Sequence, residues 1–254
     1  MALTLSKLVA HLDSFLEVPR FQDDALNGLQ VEGKAGVQRV ALAVSACREA
    51  FGKAASLGAD ALVVHHGLFW KGDWPQPVKG VHRQRLQSLL DSGLSLLAYH
   101  LPLDAHPLVG NNARAARDLG LKDLEPFAVY HGTPIGFRGR FAPPLPRSEF
   151  VQRLESYYGH PAFLEAAGPE AVSTVGVCSG GAAREASEAV ALGLDAYVTG
   201  EPGEPEVFLC REASVTFAAL GHHATEKVGV RALGDHLREA LGLETVFLDI
   251  HNEA

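Results

Sequence analysis

Hydrophobic and polar positions alternate along this chain in two distinct patterns. Short apolar runs such as ALVVHH at 61–66 and SLLAYH at 95–100 are typical of buried strands. Between such runs lie segments with apolar residues three or four positions apart, and those at 48–58 and 80–92 each end at a glycine. Strands that alternate with helices predict an α/β fold.

The alternation continues to the end of the chain. Further strands are predicted at 37–46, 173–181, 195–201, 214–223 and 245–250, and further helices at 111–121, 183–192 and 225–241. The segment at 101–110, LPLDAHPLVG, is predicted to be a loop because it is rich in polar residues and proline. FRGRFAPPLP at 137–146 predicts a crossing strand that then stops, and Ser148 is the predicted N-cap of the next helix. The first 15 residues are typical of an amphipathic helix and not of a signal peptide.

Composition and charge narrow the class of protein. The 254 residues are 47% hydrophobic and 20% charged, which supplies apolar material for one large core or two smaller ones. The net charge of −8 disfavours nucleic acid as the main partner, because phosphate binding needs many Lys and Arg residues. No run of 18 apolar residues occurs, so we expect no membrane partner. Three cysteines without a CxxC motif favour a reducing, cytoplasmic location.

Histidine is the residue type that points to chemistry, with 12 copies and two adjacent pairs. Chemically active side chains follow four predicted strands directly: His65 and His66; His100 with Asp104; Glu201; and His222 and His223 with Glu226. Ligands bind at the carboxyl ends of strands in open α/β sheets, so we expect these groups to meet at one edge. Imidazole and carboxylate suit zinc, iron, manganese or nickel. For any single residue, an ordinary hydrogen-bonded polar group at a strand end is the alternative.

Four segments resemble signature blocks of the Nif-three-like family, whose bacterial members are called GTP cyclohydrolase I type 2 homologues. These are LNGLQVEGK, VVHHGLFWKG, YHLPLDAHPLVGNN and AALGHHATEKVGVRAL, and TGE at 199–201 and the terminal VFLDI also fit. The resemblance covers about residues 5–252 and is closest to the short bacterial form. It implies the Nif-three-like fold of two interleaved α/β domains. Residues 1–128 with 219–254 would form the metal-binding domain, and 129–218 an inserted second domain.

The resemblance also implies a centre of two divalent transition-metal ions per chain. Carried over position by position, its ligands are His65, His66, Asp104, His222 and Glu226, with Glu226 as the bridging carboxylate. His100 and His223 fall in the same blocks and are expected to transfer protons or contact the substrate. The family forms ring-shaped hexamers of two stacked trimers, so the resemblance implies a homohexamer.

Two classes of function stay open at this point. The first is a metal-dependent hydrolase, in which two ions lower the pKa of a bridging water that attacks a nucleotide or another phosphate-bearing substrate. The family name suggests hydrolysis of the purine ring of GTP, although no residue identifies a guanine pocket. The second is a non-catalytic, ring-shaped interaction or regulatory protein that binds metal.

Three further features each have two interpretations. Basic residues after the first histidine pair either hold a phosphate or form a solvated face: Lys71, Lys79, His82, Arg83 and Arg85. CSGG at 178–181 is either an anion-binding glycine turn or an ordinary strand-to-helix turn. Phe69, Trp70 and Trp74 form either a stacking platform for a base or a packed loop. Asn27, in LNGLQ, has no chemical role beyond a turn.

Overall fold

A computed structural model describes residues 2–73 and 77–253. The chain divides into two compact units. The first unit contains the described residues up to Leu103 together with Val230–His251, and the second contains Asp104–Gly229 together with Asn252 and Glu253. The second unit is therefore inserted in the sequence of the first. The domain boundaries expected at 128/129 and 218/219 stay a prediction.

Helices and strands alternate along most of the chain. The elements up to the end of the first part of the first unit are β1 (Leu3–Thr4), α1 (Leu5–Phe15), β2 (Gly28–Val31), β3 (Gly36–Val37), β4 (Arg39–Ser45), α2 (Arg48–Ser56), β5 (Ala61–His66), α3 (Gly80–Ser92) and β6 (Ser95–Ala98). The next elements are α4 (Leu101–Ala105), α5 (Asn111–Asp118), β7 (Lys122–Tyr130), β8 (Thr133–Pro146), α6 (Arg147–Tyr158), β9 (Phe163–Ala166), β10 (Ala171–Val177) and α7 (Ala186–Ala191). The last are β11 (Ala196–Thr199), α8 (Glu204–Glu212), β12 (Thr216–Ala219), α9 (His222–Leu241) and β13 (Glu244–Phe247).

The first unit is built on a sheet with the strand order β13-β4-β5-β6-β2. Strands β13, β4, β5 and β6 run parallel, and β2 pairs with β6 in the antiparallel sense. Strand β5 lies between two parallel neighbours, which explains why its first five residues are all buried. The parallel pairing of β5 with β6 brings the residues that follow both strands to the same edge.

The second unit has its own sheet, with the strand order β7-β8-β10-β11-β12-β9. Its three central strands β10, β11 and β12 run parallel, and the outer strands are antiparallel. Helix α6 buries Phe150, Leu154 and Tyr158, spaced four residues apart, in the hydrophobic core of this unit. The parallel centre places the segments after β10, β11 and β12 at one edge.

Two local predictions were wrong, each for a physical reason. The predicted loop contains helix α4, which buries Leu101 and Leu103 and has Pro102 near its start, where no N–H bond is lost. The crossing strand, by contrast, is confirmed as β8, which ends at Pro146; residues 141–144 lie opposite a register shift in β10, where the ladder needs no N–H from them. Ser148 is not an N-cap, because β8 runs directly into α6 and Pro146 holds that position without a side-chain bond.

The mixed α/β fold class is confirmed. Helix α1 begins after Thr4, whose hydroxyl accepts a hydrogen bond from the Lys7 N–H at 3.3 Å, and it matches the predicted N-terminal helix. Within 2–73 and 77–253, no helix is both long and apolar enough to cross a membrane.

Candidate metal centre

Three histidines of the first unit converge at the carboxyl edge of its parallel sheet. His65 and His66 end β5, and His100 follows β6 by two residues. One ring nitrogen of each lies within 4.8 Å of one ring nitrogen of the others. The ring centroid of His65 is 4.7 Å from that of His66 and 5.0 Å from that of His100. We call these residues the three-histidine cluster. For the strand-end residues of this unit, it is the convergence at one sheet edge that the sequence predicted.

Hydrogen bonds orient the two rings of β5. Nδ1 of His65 lies 3.0 Å from the carbonyl oxygen of Tyr99, which only accepts, so Nδ1 carries a proton, and in the neutral ring Nε2 carries the lone pair. Nδ1 of His66 lies 3.1 Å from the hydroxyl of Ser45. Imidazoles that bind metal through one nitrogen are oriented in this way through the other nitrogen.

His100 is held by a buried carboxylate, Asp23, which sequence reasoning missed. Nδ1 of His100 lies 2.9 Å from Oδ1 of Asp23, which also accepts the Ala25 N–H at 3.0 Å. Oδ2 accepts the Asn27 amide at 2.8 Å and the Leu101 N–H at 3.0 Å. Burial by itself raises the pKa of Asp23, but hydrogen bonds from His100, Asn27 and Ala25, together with the charge that His100 carries when it is protonated, outweigh it and lower the pKa to about 2. The carboxylate is therefore ionised at neutral pH.

An aromatic side chain and a lysine lie beside this cluster. The Trp70 ring stands nearly perpendicular to the His100 ring, with centroids 5.1 Å apart, so Trp70 packs against the cluster. Nζ of Lys71 donates to the backbone carbonyl of Asp23. Trp74 lies outside the described residues. The phosphate-holding role of the basic residues stays a prediction.

In the second unit, helix α9 begins at His222, three residues before the predicted start, so His222 and Glu226, four residues apart, share one face. Nε2 of His222 lies 3.2 Å from Oε1 of Glu226, and Nδ1 lies 2.6 Å from Oε1 of Glu201. Burial lowers the pKa of His222, but hydrogen bonds and charges of Glu226 and Glu201 outweigh it and raise the pKa to about 9. The side chain of Glu226 is buried, whereas that of Glu201 is about half exposed.

Asp104 is a buried carboxylate whose orientation is also fixed within the second unit. Its Oδ1 accepts hydrogen bonds from the Asn111 amide at 2.8 Å and from the Ser179 hydroxyl at 3.2 Å. The Asn111 oxygen in turn accepts the Gly229 N–H at 2.7 Å. Asn111 lies in the same signature block as Asp104, whereas Ser179 and Gly229 come from distant segments that no local spacing in the sequence connects to Asp104.

In the CSGG turn after β10, two of the backbone N–H groups bind side chains of the protein itself. The Ser179 N–H donates to the Asn112 oxygen at 2.7 Å, and the Gly180 N–H donates to the Thr225 hydroxyl at 3.0 Å. Because both donors are already bonded, the anion-binding interpretation is not supported for them.

Gly180 nevertheless shapes the space around two predicted ligands. Its φ is +69°, and a Cβ at this position would lie 2.3 Å from Oε1 of Glu226 and 3.3 Å from Nε2 of His222. Only a residue without a side chain leaves room for these two groups. The space next to the carboxylate and the imidazole is therefore kept clear by the backbone.

The donor groups in each unit fit a divalent transition metal. The first unit supplies converging imidazoles, and the second supplies an imidazole with carboxylates, while no thiolate takes part. Hydrogen bonds to the remaining atoms orient these groups as metal ligands are oriented. The five-residue ligand set stays a prediction. His223 is buried, and its role in proton transfer also stays a prediction.

The chain is similar to known proteins along its whole length. A family model described as Duf34/NIF3 (NGG1p interacting factor 3) matches residues 3–254. A relative from Pseudomonas aeruginosa is 42% identical over 254 residues, covering 100% of each chain. One from Escherichia coli K12 is 42% identical over 236 residues, covering 91% of this chain and 92% of the relative. Both are described as GTP cyclohydrolase 1 type 2 homolog.

Two solved structures share the fold. Protein ybgI, described as of unknown function, has a TM-score of 0.93 and 39% identity, covering 99% of this chain and 100% of that one. TTHA1606 from Thermus thermophilus has a TM-score of 0.88 and 40% identity, with the same coverage. The resemblance read from the signature blocks is confirmed by these matches.

Proposed function

This chain belongs to the Duf34/NIF3 family, and on that premise we propose that it is a dinuclear metal-binding protein that acts as a metal-dependent hydrolase. Its substrate class is a nucleotide or another phosphate-bearing molecule. We propose as ligands His65, His66, Asp104, His222 and Glu226, holding two divalent transition-metal ions per chain.

The observation that carries this proposal is the convergence of three imidazoles at one sheet edge. A ring nitrogen of each of His65, His66 and His100 lies within 4.8 Å of the others, in a partly buried position. Histidines placed for packing alone do not need converging nitrogens with hydrogen-bonded Nδ1 atoms. Such an arrangement supports cation binding.

When bound, a divalent metal pair lowers the pKa of a coordinated water and so supplies a nucleophile for hydrolysis at neutral pH. The chain's own residues have separate tasks. His65 and His222 keep their orientations through Tyr99 and Glu201, respectively. We propose that His100 and His223 accept or deliver the protons that hydrolysis moves.

A non-catalytic, ring-shaped interaction or regulatory protein is the second candidate. The family description, NGG1p interacting factor 3, names an interaction and no reaction, which favours this alternative. In that case the metal would stabilise the fold or assembly. A homohexamer of stacked trimers in the cytoplasm suits both candidates, and light scattering of the purified protein would test the assembly.

The metal content of untagged protein, measured by mass spectrometry, tests the proposal. We expect about two transition-metal ions per wild-type chain, consistent with a two-metal site, and one or none in Glu226→Ala. Glu239→Ala is the matched control, because Glu239 lies on the same helix but is exposed. Metal near zero in the wild type would contradict the metal centre. Bound metal without hydrolysis of any nucleotide or phosphoester would favour the interaction protein.

A further inference from the structure

A buried acid, an amide and a histidine of the first unit form a connected network. Asp23, Asn27 and His100 are separated by up to 77 positions in the sequence. The Asp23 side chain is 2% exposed and that of His100 is 22% exposed. The network therefore joins the interior of the unit to the three-histidine cluster at its edge.

The donors around Asp23 determine which atom of His100 carries a proton. Within the described part of the chain, the Asp23 carboxylate has four hydrogen-bond partners. Three of them can only donate: the N–H groups of Ala25 and Leu101 and the amide nitrogen of Asn27. The Asn27 amide cannot be turned around, because its oxygen accepts the His100 backbone N–H at 2.8 Å. An ionised carboxylate has no hydrogen to give, so Nδ1 of His100 must be the donor.

The same contacts determine where the other nitrogen of the ring points. Nδ1 of His100 faces Asp23, while the ring lies 5.0 Å from His65 and 5.7 Å from His66 between centroids. Nε2 is the ring nitrogen that does not face Asp23, and one ring nitrogen of His100 lies within 4.8 Å of a ring nitrogen of His65 and of His66. In a neutral ring that is protonated at Nδ1, Nε2 carries the lone pair.

We propose that Asp23, supported by Asn27, is a positioning residue that holds His100 as the Nδ1–H tautomer and directs its Nε2 lone pair toward His65 and His66. His100 then accepts a hydrogen bond from a water or hydroxyl group at the three-histidine cluster. The task of His100 in a reaction rests on the proposed function, whereas the tautomer does not depend on it.

Nitrogen-15 NMR of the histidine rings tests this assignment without any turnover. Full-length protein with 15N-labelled histidine is treated with a chelator and studied at pH 8, and loss of signals in His100→Gln identifies the ring. We expect the wild type to show a protonated Nδ1 and an unprotonated Nε2. In Asp23→Asn the carboxamide can donate to Nδ1, so we expect the major tautomer of His100 to change to Nε2–H.

Asp13→Asn is the matched control for this experiment. Asp13 carries the same charge as Asp23, and it accepts the hydroxyl of Tyr99, the residue that precedes His100, at 2.9 Å. Among the described residues, no hydrogen bond joins Asp13 to the His100 ring. We expect its His100 signals to equal those of the wild type. An Nε2–H tautomer in the wild type, or an unchanged tautomer in folded Asp23→Asn, would overturn the proposal. If Asp23→Asn does not fold, the wild-type spectrum alone decides.

Metal analysis of the same wild-type protein separates this inference from the proposed function. A chain that binds no metal but shows the Nδ1–H tautomer supports the positioning role and contradicts the metal centre. A chain that binds two metals but shows the Nε2–H tautomer overturns the positioning role and leaves the metal centre standing.

Discussion

Replacing Gly180 by alanine tests the geometry around Glu226 directly. The substitution has two separable costs. The first comes from the backbone, since a φ of +69° is unfavourable for any residue with a Cβ, by about 1–2 kcal/mol. The second comes from the new methyl group, which would lie 2.3 Å from Oε1 of Glu226.

The clash with Glu226 cannot be relieved easily by moving the turn. The Gly180 N–H donates to Thr225, and the Gly180 carbonyl accepts the N–H groups of Gly200 and Glu201 at 3.0 and 3.1 Å. The Glu226 carboxylate must therefore move by at least about 0.7 Å to restore the 3.0 Å that real Cβ contacts require. Overpacking of this kind costs about 1–3 kcal/mol. A displaced carboxylate also exceeds the roughly 0.5 Å tolerance of a functional site, so metal binding should weaken.

Gly193→Ala isolates the backbone cost. Gly193 has a φ of +64°, and a Cβ there would meet nothing within 4 Å. We expect its free energy of unfolding to fall by about 1–2 kcal/mol, as for any alanine at positive φ. Gly180→Ala should lose about 1–3 kcal/mol more, as the overpacking cost requires.

Urea unfolding of the metal-free proteins gives the free energies, and mass spectrometry of the untreated proteins gives the metal content. We expect metal to be reduced in Gly180→Ala and unchanged in Gly193→Ala. Equal stability losses in the two variants would refute the described packing of Gly180 against Glu226. Full metal content in Gly180→Ala, despite the extra loss of stability, would refute Glu226 as a ligand.

Three further predictions follow from burial and charge. Burial raises the pKa of the Cys178 thiol, and raises that of Cys210 to about 11, so iodoacetamide at pH 8 should label Cys47 alone, as peptide mass spectrometry would show. Phe150→Ala should lower the free energy of unfolding by about 3–5 kcal/mol in urea titrations; a loss below 1 kcal/mol would contradict its core position. Because the pKa of His222 is about 9, metal binding at pH 7 should release its proton, and affinity should rise up to pH 9 and then level off. Calorimetry in buffers of different ionisation heat measures that release, and pH-independent binding would contradict it.

The local sequence pattern determined much of the framework. The apolar run ALVVHH is strand β5 with the predicted bounds, and the helix at 80–92 ends at Gly93 in the left-handed conformation. The four-residue spacing of His222 and Glu226 also gave their contact, because both lie on one helix. These features depend on residues that are only a few positions apart, so the order of residue types along the sequence is enough to predict them.

Outer strands and a helix of the second unit were not predicted. Strands β7 and β9 expose most of their residues, so they lack the apolar pattern that marks a buried strand. Helix α8 buries only Val207 and Cys210, which gives an equally weak signal. An element that buries few residues has no clear apolar pattern in the sequence. Its structure depends instead on pairing with, or packing against, a neighbouring strand.

Only the tertiary structure decided what holds the side chains of the candidate site in place. Asp23 contacts a histidine 77 positions away, and Ser179 contacts an aspartate 75 positions away. Asn27 had no chemical role in the sequence, yet it orients both Asp23 and the backbone of His100. The sequence by itself predicted the candidate metal ligands and their places at the ends of strands. The orientation and charge of those residues depend on hydrogen bonds between distant segments, and only the folded path of the chain brings such segments together.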